Sequence, residues 1–554
     1  MRTVLRFVGS ALTLLAMPLP AQGAKVRTAE QITVADLRQR VYLIADDSMA
    51  GRGTGTLGNY KTAEYVATEF ERLGLRPGGE HGGWFQTVPF FVPAPNARTL
   101  EARAGNRVAT FQWGKDYVIL GRPMAGGVLN GTAVVAGGVA NDSTTWIDAT
   151  AAAGKIVVLE VRAGSNGRRQ PLSQIARFYA MARFPQAAAV AVAELDLLGS
   201  NALTFLAPRP ALDTTRGRAR PAQLLITPAM ARMLTAGGAA TMQGDASLTF
   251  APVPFAARNV IGILPGRDPA LRGQYVAVTG HNDHVGICSA PVDHDSMRAH
   301  NRVIRPLGVD SRDRAPGAEE AKEIQRIRDS LHRAHPARAD SICNGADDDA
   351  SGTAAILELA EAFASLSSPP EMPFPRRSLL FISHAAEEVG LVGSAWFTDH
   401  PTVPIDSIVA SIDEDMIGRG TASDLPAGGP TYLEVVGARR MSVEFGDMLE
   451  AANARQKVPF VFNYEFNAPG HPLQYFCRAD HYNYARYGIP AVAFSRGEHF
   501  DYHQVTDEAQ YIQYEHMAKV DELVFNLALK VAGLDHRVKV DKPKPTDPHG
   551  ACQQ

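Results

Sequence analysis

Cysteine is scarce in this chain of 554 residues, with four in all, at positions 288, 343, 477 and 552. So few exclude a small scaffold held together by disulfides, and the fold must rest on a buried apolar core. A basic excess is also missing. With 55 Lys and Arg against 58 Asp and Glu, the formal charge is −3, and no nucleic-acid partner is expected, because such surfaces concentrate cations. After the first residues, no apolar stretch approaches the roughly 20 residues that span a bilayer. What is present is ordinary for globular domains, with 45% hydrophobic and 20% charged residues, and the length requires two or more of them.

Arg2 and Arg6 precede the apolar run FVGSALTLLAMPL, and PAQGA supplies small residues for cleavage. Residues 1–24 therefore read as an export signal, with no other membrane anchor expected. The mature chain is expected to be exported, periplasmic or extracellular, where disulfides can form. Cys288 and Cys343 flank an irregular segment and either staple it or remain two inert buried thiols.

NYKTAEYVATEFERLGLRPGG has Tyr60, Ala63, Val66, Phe70 and Leu73 at helical spacing, with Gly74 near its end. This predicts an amphipathic helix with a core-facing stripe. From 100 to 252 short β-like runs (TAVVAGGV, KIVVLEV, AAVAVAEL) alternate with turn residues, which predicts an inserted domain without a cluster of His and acids. From 258 onward, buried strands (NVIGILPG, QYVAVTG, SLLFISH, SIVASID, GIPAVAFS) alternate with helices such as TAAILELAEAFASL. That pattern predicts an α/β fold with a mostly parallel central sheet flanked by helices. The chain divides into the signal 1–24, an α/β domain in two pieces (25–99 and 253–535), the inserted β-rich domain 100–252, a charged helical insertion 286–344, and a tail 536–554. The tail reads as disordered, being rich in Pro, Lys and Asp without an apolar period.

Five polar clusters fall at strand ends: HNDH (281–284), GADDDASG (345–352), HAAEEVG (384–390), IDEDMIG (412–418) and FDYHQVTD (500–507). In open α/β sheets ligands bind beyond the carboxyl ends of the strands. So many carboxylates gathered there would be driven protonated unless compensated, and no Lys or Arg cluster accompanies them. Divalent cations supply the missing charge. Mixed His and carboxylate ligands suit zinc, and two ions about 3.5–4 Å apart need a bridging carboxylate. An aspartate of GADDDASG is the natural bridge.

These clusters, in this order, resemble the co-catalytic di-zinc aminopeptidase and glutamate-carboxypeptidase family of metallopeptidases, with its zinc-exopeptidase, phosphorylase/hydrolase-like fold. The inserted domain, with GKIVVLEV, resembles a protease-associated domain. The resemblance implies that His281 and Asp415 hold one zinc, Glu388 and His503 the other, and that Asp348 bridges them, giving two Zn2+ per chain. It makes Glu387 the general base, Asp283 the residue that orients His281, and Tyr502 a donor to the oxyanion. Arg478, Asp480 and His481, in CRADHYNYARYGIP, match a stretch near the substrate pocket. Asp349 stands where the family has asparagine, and the insertion between the first two motifs is longer than the family pattern.

The expected function is that of an exported zinc aminopeptidase acting on peptides. A carboxypeptidase or dipeptidase of the same fold would need an arginine patch for its substrate's carboxylates, and Arg478, Arg486 and Arg496 lie close in sequence. A glutaminyl-cyclase-like transferase uses one zinc, whereas the presence of both His281 and Asp348 favours two. A catalytically silent binding protein would have lost ligands or the base, and every such position is filled here.

Overall fold

In a computed structural model the described residues are 28 and 31–552, apart from the side chains of 93, 211, 250 and 289 and the stretches 121–126, 165–166, 173–179, 181, 199–210, 213–220, 237–238, 335, 367–373, 426–427, 472, 544–546 and 550–551. The proposed export signal lies outside them.

Among the described residues nine strands form one mixed sheet. Its centre is parallel: Ser378–His384, Tyr275–His281, Ile408–Glu414 and Ala491–Ser495 run side by side in one direction. Antiparallel strands flank this centre, Ala257–Leu264 against Ser378–His384 and Tyr432–Gly437 against Ala491–Ser495. The fold is thus α/β, parallel where the polar clusters arise and antiparallel outside them. All seven residues of Ser378–His384 and of Ile408–Glu414 are buried, as expected of strands covered on both faces.

Helices cover one face with a large core. Leu37, Val41 and Ile44 of helix Val34–Ile44 pack with Ala63, Val66 and Phe70 of helix Leu57–Arg72, with helix Ala350–Ser365, and with Met517, Val520, Leu523 and Val524 of helix Tyr514–Ala532. The stripe read from NYKTAEYVATEF is this core contact, while Tyr60 lies under the Arg258 guanidinium, 3.7 Å from its ring centre. Helix Ala350–Ser365 is buried through its first fourteen residues, and its small, apolar sequence (ASGTAAILELAEAFAS) lets the flanking helices approach. The opposite face carries a smaller cluster around Phe397, Tyr484 and Ala485.

Residues 99–245 build a separate sheet of eight strands among those described, with cores of its own on either side. The chain enters through Phe90–Pro95 and leaves through Leu248–Pro252, and these two crossings pair antiparallel. The second insertion is a ribbon, Gly286–Asp293 against Ala339–Cys343, holding helices His294–Ile304 and Ala318–Ala334. Helix Ala318–Ala334 has no buried residue. A disulfide joins Cys288 to Cys343 at the base of the ribbon. A second, Cys477–Cys552, corrects the expectation of a free tail. Apart from that bond, Arg486 donates to the Pro548 carbonyl at 3.0 Å and the Asp541 amide donates to that of Met441 at 3.2 Å. Composition missed this because the anchoring is by backbone groups and one covalent bond, not by an apolar period.

Arg40 is buried and pairs with three carboxylates, Glu69 at 2.8 Å, Glu358 at 3.2 Å and Glu361 at 2.5 Å, tying three helices together. Its removal would leave Glu358 without a cation, and Glu69 and Glu361 with Arg72 alone, in a largely apolar surrounding. Arg40→Ala is expected to destabilise the α/β domain by about 3–5 kcal/mol, measured as an earlier thermal unfolding transition with the transition of the inserted domain unmoved.

Candidate metal centre

Tyr275–His281, Ser378–His384, Ile408–Glu414 and Ala491–Ser495 end on one edge of the sheet, and four of the five clusters follow those ends; GADDDASG instead follows the ribbon strand Ala339–Cys343 and opens helix Ala350–Ser365 at the same edge. The three adjacent aspartates each face a different way. Asp347 points beneath the site, accepting from the Gly418 amide at 2.6 Å and lying 3.1 Å from His499 Nε2. Asp349 caps helix Ala350–Ser365 through the Gly352 amide at 2.8 Å and accepts from the His281 amide at 2.9 Å. Only Asp348 turns into the cleft. The supposed extra negative charge of Asp349 is therefore engaged by backbone N–H groups, and burial pushes its carboxyl well above the usual carboxylate range.

The loop is held from both sides. Arg52, fully buried, donates to the carbonyls of Ile44, Asn344, Gly345 and Asp348. Asp507 accepts from the amides of Asp347 and Asp348 at 3.1 and 3.2 Å. Residues that present the site also adopt left-handed backbone: Ala386 (φ 62°), before Glu387; Met416 (φ 60°), after Asp415; and His503 itself (φ 54°). Such conformations cost about 1–3 kcal/mol each and persist where the surroundings over-determine them.

Among the described residues two groups bring His, Asp and Glu donor atoms within 4.8 Å of one another: His281, Asp348 and Asp415, and His284, Asp348, Glu388 and His503. They share Asp348. In the first group His281 Nε2 stands 3.2 Å from Asp348 Oδ1 and 3.7 Å from Asp415 Oδ1. In the second, His503 Nε2 lies 2.9 Å from Asp348 Oδ2 and 3.0 Å from Glu388 Oε2, and His284 Nδ1 is 2.6 Å from Glu388 Oε1. Burial acts first on Asp348, Glu388, His281 and His503. Against it, the imidazoles of His284, His281 and His503 hold Asp348 well below the usual carboxylate range, and His503 and His284 pull Glu388 down to about 2. The reciprocal carboxylates hold His281 and His503 well above the usual imidazole range.

The donor set fits divalent metal ions. His281 Nε2 is buried, faces two carboxylates, and has no hydrogen-bond partner, which is the state of a ligand atom rather than of a packed histidine. Nitrogen and oxygen donors converge on two adjacent points with one carboxylate common to both.

All five residues expected as ligands, His281, Asp348, Glu388, Asp415 and His503, lie in these groups. Sequence reading passed over His284, the fourth residue of HNDH, although a His three positions from another at a strand end was a visible signal. Asp283 sits 3.6 Å from His281 Nδ1, accepts from the Thr54 hydroxyl at 2.6 Å, and accepts from the Glu387 amide at 3.0 Å. It thus fixes the backbone of Glu387 as well as lying beside His281. Glu387 Oε2 is 4.0 Å from His281 Nε2. Burial, then the charges of Glu388, Asp415 and Asp480 against that of His281, raises its carboxyl well above the usual range.

The adjoining pocket is lined by Glu387, Arg478, His481 and Tyr502 among others. Asp480, expected with Arg478 and His481, is absent from its wall: its carboxylate accepts from the Ser394 hydroxyl behind Glu387. Asp480 is therefore a support for the site and not a substrate contact, because it is the N-terminal flank of a short helix whose next residue, His481, faces the pocket. The insertion joins the site too. Arg298 pairs with Asp501 and Arg338 with Glu508, on either side of His503, and the Val309 amide donates to the Tyr502 carbonyl at 3.2 Å.

Asp348→Ala, which removes the carboxylate common to both groups, is expected to abolish stoichiometric binding of divalent cation. His284→Ala is expected to weaken binding by about 10–100-fold at the His503 group alone. Metal analysis after dialysis against graded chelator distinguishes the two.

Comparison with known proteins agrees with this constellation. A sequence profile described as peptidase family M28 matches residues 259–528. Aminopeptidase NAALADL1 of Mus musculus is 36% identical over 98 residues, 18% of this chain and 13% of that protein, and its Rattus norvegicus counterpart is 45% identical over 60 residues, 11% of this chain and 8% of that protein. The matched stretches thus span about an eighth or less of those relatives' length. Among solved structures, an aminopeptidase from Aneurinibacillus sp. strain AM-1 aligns over 93% of this chain and 97% of its own at 18% identity (TM-score 0.48). BSAP, a zinc aminopeptidase from Bacillus subtilis, aligns over 94% and 98% at 17% identity (TM-score 0.49). Residues 259–528, which carry every metal-facing residue of the site, match the sequence profile of peptidase family M28.

Proposed function

We propose that this chain is an exported zinc aminopeptidase that removes N-terminal residues from peptides with the help of two zinc ions. The observation that carries the reading is the placement of Asp348 between two donor groups with Glu387 beside them. The match to a peptidase family supports the reaction class, and the likeness to aminopeptidase NAALADL1 supports the aminopeptidase direction.

His281 and Asp415 would hold one ion, His503, Glu388 and His284 the other, with Asp348 between them. Bound zinc supplies a more acidic water and a polarised scissile carbonyl. The chain's own groups do the rest. Glu387, its backbone pinned by Asp283, accepts the proton of the attacking water and returns it to the leaving amine. Its raised proton affinity suits both halves of that exchange. Tyr502 is buried near Asp348, and both influences hold its phenol well above its usual range, so it keeps its proton. Arg478 donates to the Tyr502 oxygen at 3.3 Å, leaving the phenolic O–H free to donate to the oxyanion that develops on the substrate carbonyl.

The arginines near the site argue against a carboxypeptidase. Arg478 lies 2.9 Å from both Asp310 and Glu498. Arg486 is paired with Asp399 and donates to the Ala395 and Pro548 carbonyls. Arg496 is buried and donates to Gly420 and Gly429 carbonyls. Arg478 is the one of the three that lines the pocket, and its two carboxylate partners leave no free fork there for a substrate carboxylate. Two donor groups rather than one also weigh against a one-zinc cyclase. The inserted sheet is assigned as a protease-associated domain that borders the substrate, and residues 1–24 as the export signal.

Glu387→Gln is expected to retain zinc and lose turnover by about 10²–10⁴-fold, read by metal analysis beside kinetics on one sample. Mass spectrometry of an unblocked peptide and its acetylated twin checks the direction of attack. Stepwise loss from the free N-terminus alone, abolished by chelator, is the expected result, and loss from the C-terminus of both would overturn the reading.

A further inference from the structure

The pocket beside the metal centre carries more acid than the reaction uses. Glu434, on strand Tyr432–Gly437 and paired in register with Ser495, lines it from within the protein, 1% exposed. Neither of its carboxylate oxygens is in hydrogen-bonding geometry with a described residue, although the Tyr432 hydroxyl and the Arg478 guanidinium lie near enough to favour its charge. Glu498 lines the same pocket, 5% exposed; one oxygen meets Arg478 at 2.9 Å, and the Tyr475 hydroxyl and the Asp310 carboxyl stand beside the carboxylate. Asp310, from the insertion, takes the same Arg478 nitrogen at 2.9 Å. Three carboxylates therefore surround a single guanidinium, and Glu434 is the one without an ion pair among the described residues. Buried carboxylates in that condition are rare and need an explanation.

The rest of the wall says what would satisfy it. Met416, Val436, Ala493 and Phe494 line the same pocket, giving apolar surface along which a methylene stem packs while its charged head reaches an acid. Resting on the aminopeptidase reading, we propose that Glu434, supported by Glu498, selects peptides whose N-terminal residue is lysine or arginine, by pairing with the side-chain cation. Burial, and after it the Glu498 carboxylate, raises the Glu434 carboxyl to about 8, and burial raises that of Glu498 to about 7. An empty pocket thus holds protons where an incoming side-chain cation would stand. The α-ammonium of a peptide is the other cation available, and the two are separable because every unblocked peptide has one.

The test compares lysyl, arginyl and norleucyl para-nitroanilides on the zinc-loaded full chain and on Glu434→Gln, with Glu498→Gln as a second variant of equal size. Wild type is expected to prefer lysyl and arginyl over norleucyl substrate by at least about 10-fold in kcat/KM, and Glu434→Gln to lower that ratio by about 10–100-fold, the scale of a lost buried charge pair. Glu498→Gln is expected to lower it less. Equal loss on all three substrates would overturn the proposal and assign Glu434 to the α-ammonium or to the fold. A wild-type preference for norleucine would overturn it as well. If no anilide is cleaved, the aminopeptidase reading fails by itself. Calorimetric binding of lysinamide against norleucinamide then decides the pocket: tighter binding of lysinamide that is lost in Glu434→Gln upholds it, and equal binding overturns it.

Discussion

Repulsion among buried carboxylates is the constraint around which this site is built. Asp348, Glu387, Glu388 and Asp415 come together at one edge of the sheet, in a setting where water cannot screen them. Left alone, such a group protonates or forces the chain apart. The chain answers with three histidines facing the carboxylates and with two points at which a divalent ion would be enclosed. The neighbouring aspartates are kept out of this competition by local bonds: Asp347 is tied to Gly418 and His499, and Asp349 to the start of a helix and to the His281 amide.

Holding so many acids in place requires rigid surroundings, and the structure supplies them from distant parts of the chain. Arg52 comes from the N-terminal piece and clasps the carbonyls of the aspartate loop. Asp507 comes from near the C-terminus and clasps its amides. Thr54 and Asp283 steady the turn that bears Glu387. The insertion 286–344, which sequence reading left as a charged helical segment, does two things at once: its outer helix buries no residue, while its arginines and its 308–310 turn brace the loop that carries Tyr502 and His503.

The pocket follows from the same geometry. Strand Tyr432–Gly437 runs antiparallel to Ala491–Ser495, so its beginning, and not its end, lies at the catalytic edge. That reversal delivers Glu434 to the pocket. In a run such as TYLEVVG, a glutamate reads as an ordinary solvent-facing break in a strand, and only the direction of the strand makes it a pocket residue.

His281, Glu388 and Asp415 were legible because each stands at or just past the end of an apolar strand, where open sheets collect their polar chemistry, whereas Asp348, at the head of a helix, was legible from the run of three aspartates around it. The α/β class was legible for the same reason, since continuous apolar runs alternating with helices have few other solutions. The sequence determined, by itself, which residue types could meet at one edge and that the excess of carboxylates there demanded a cation. Tertiary structure decided the rest: that His284 joins the second group, that Asp480 turns away while Glu434 turns in, that the tail is fastened, and that Arg478 in the pocket is already paired. Those outcomes depend on strand direction, side-chain aim and partners hundreds of residues away, and none of these has a local signature in the chain.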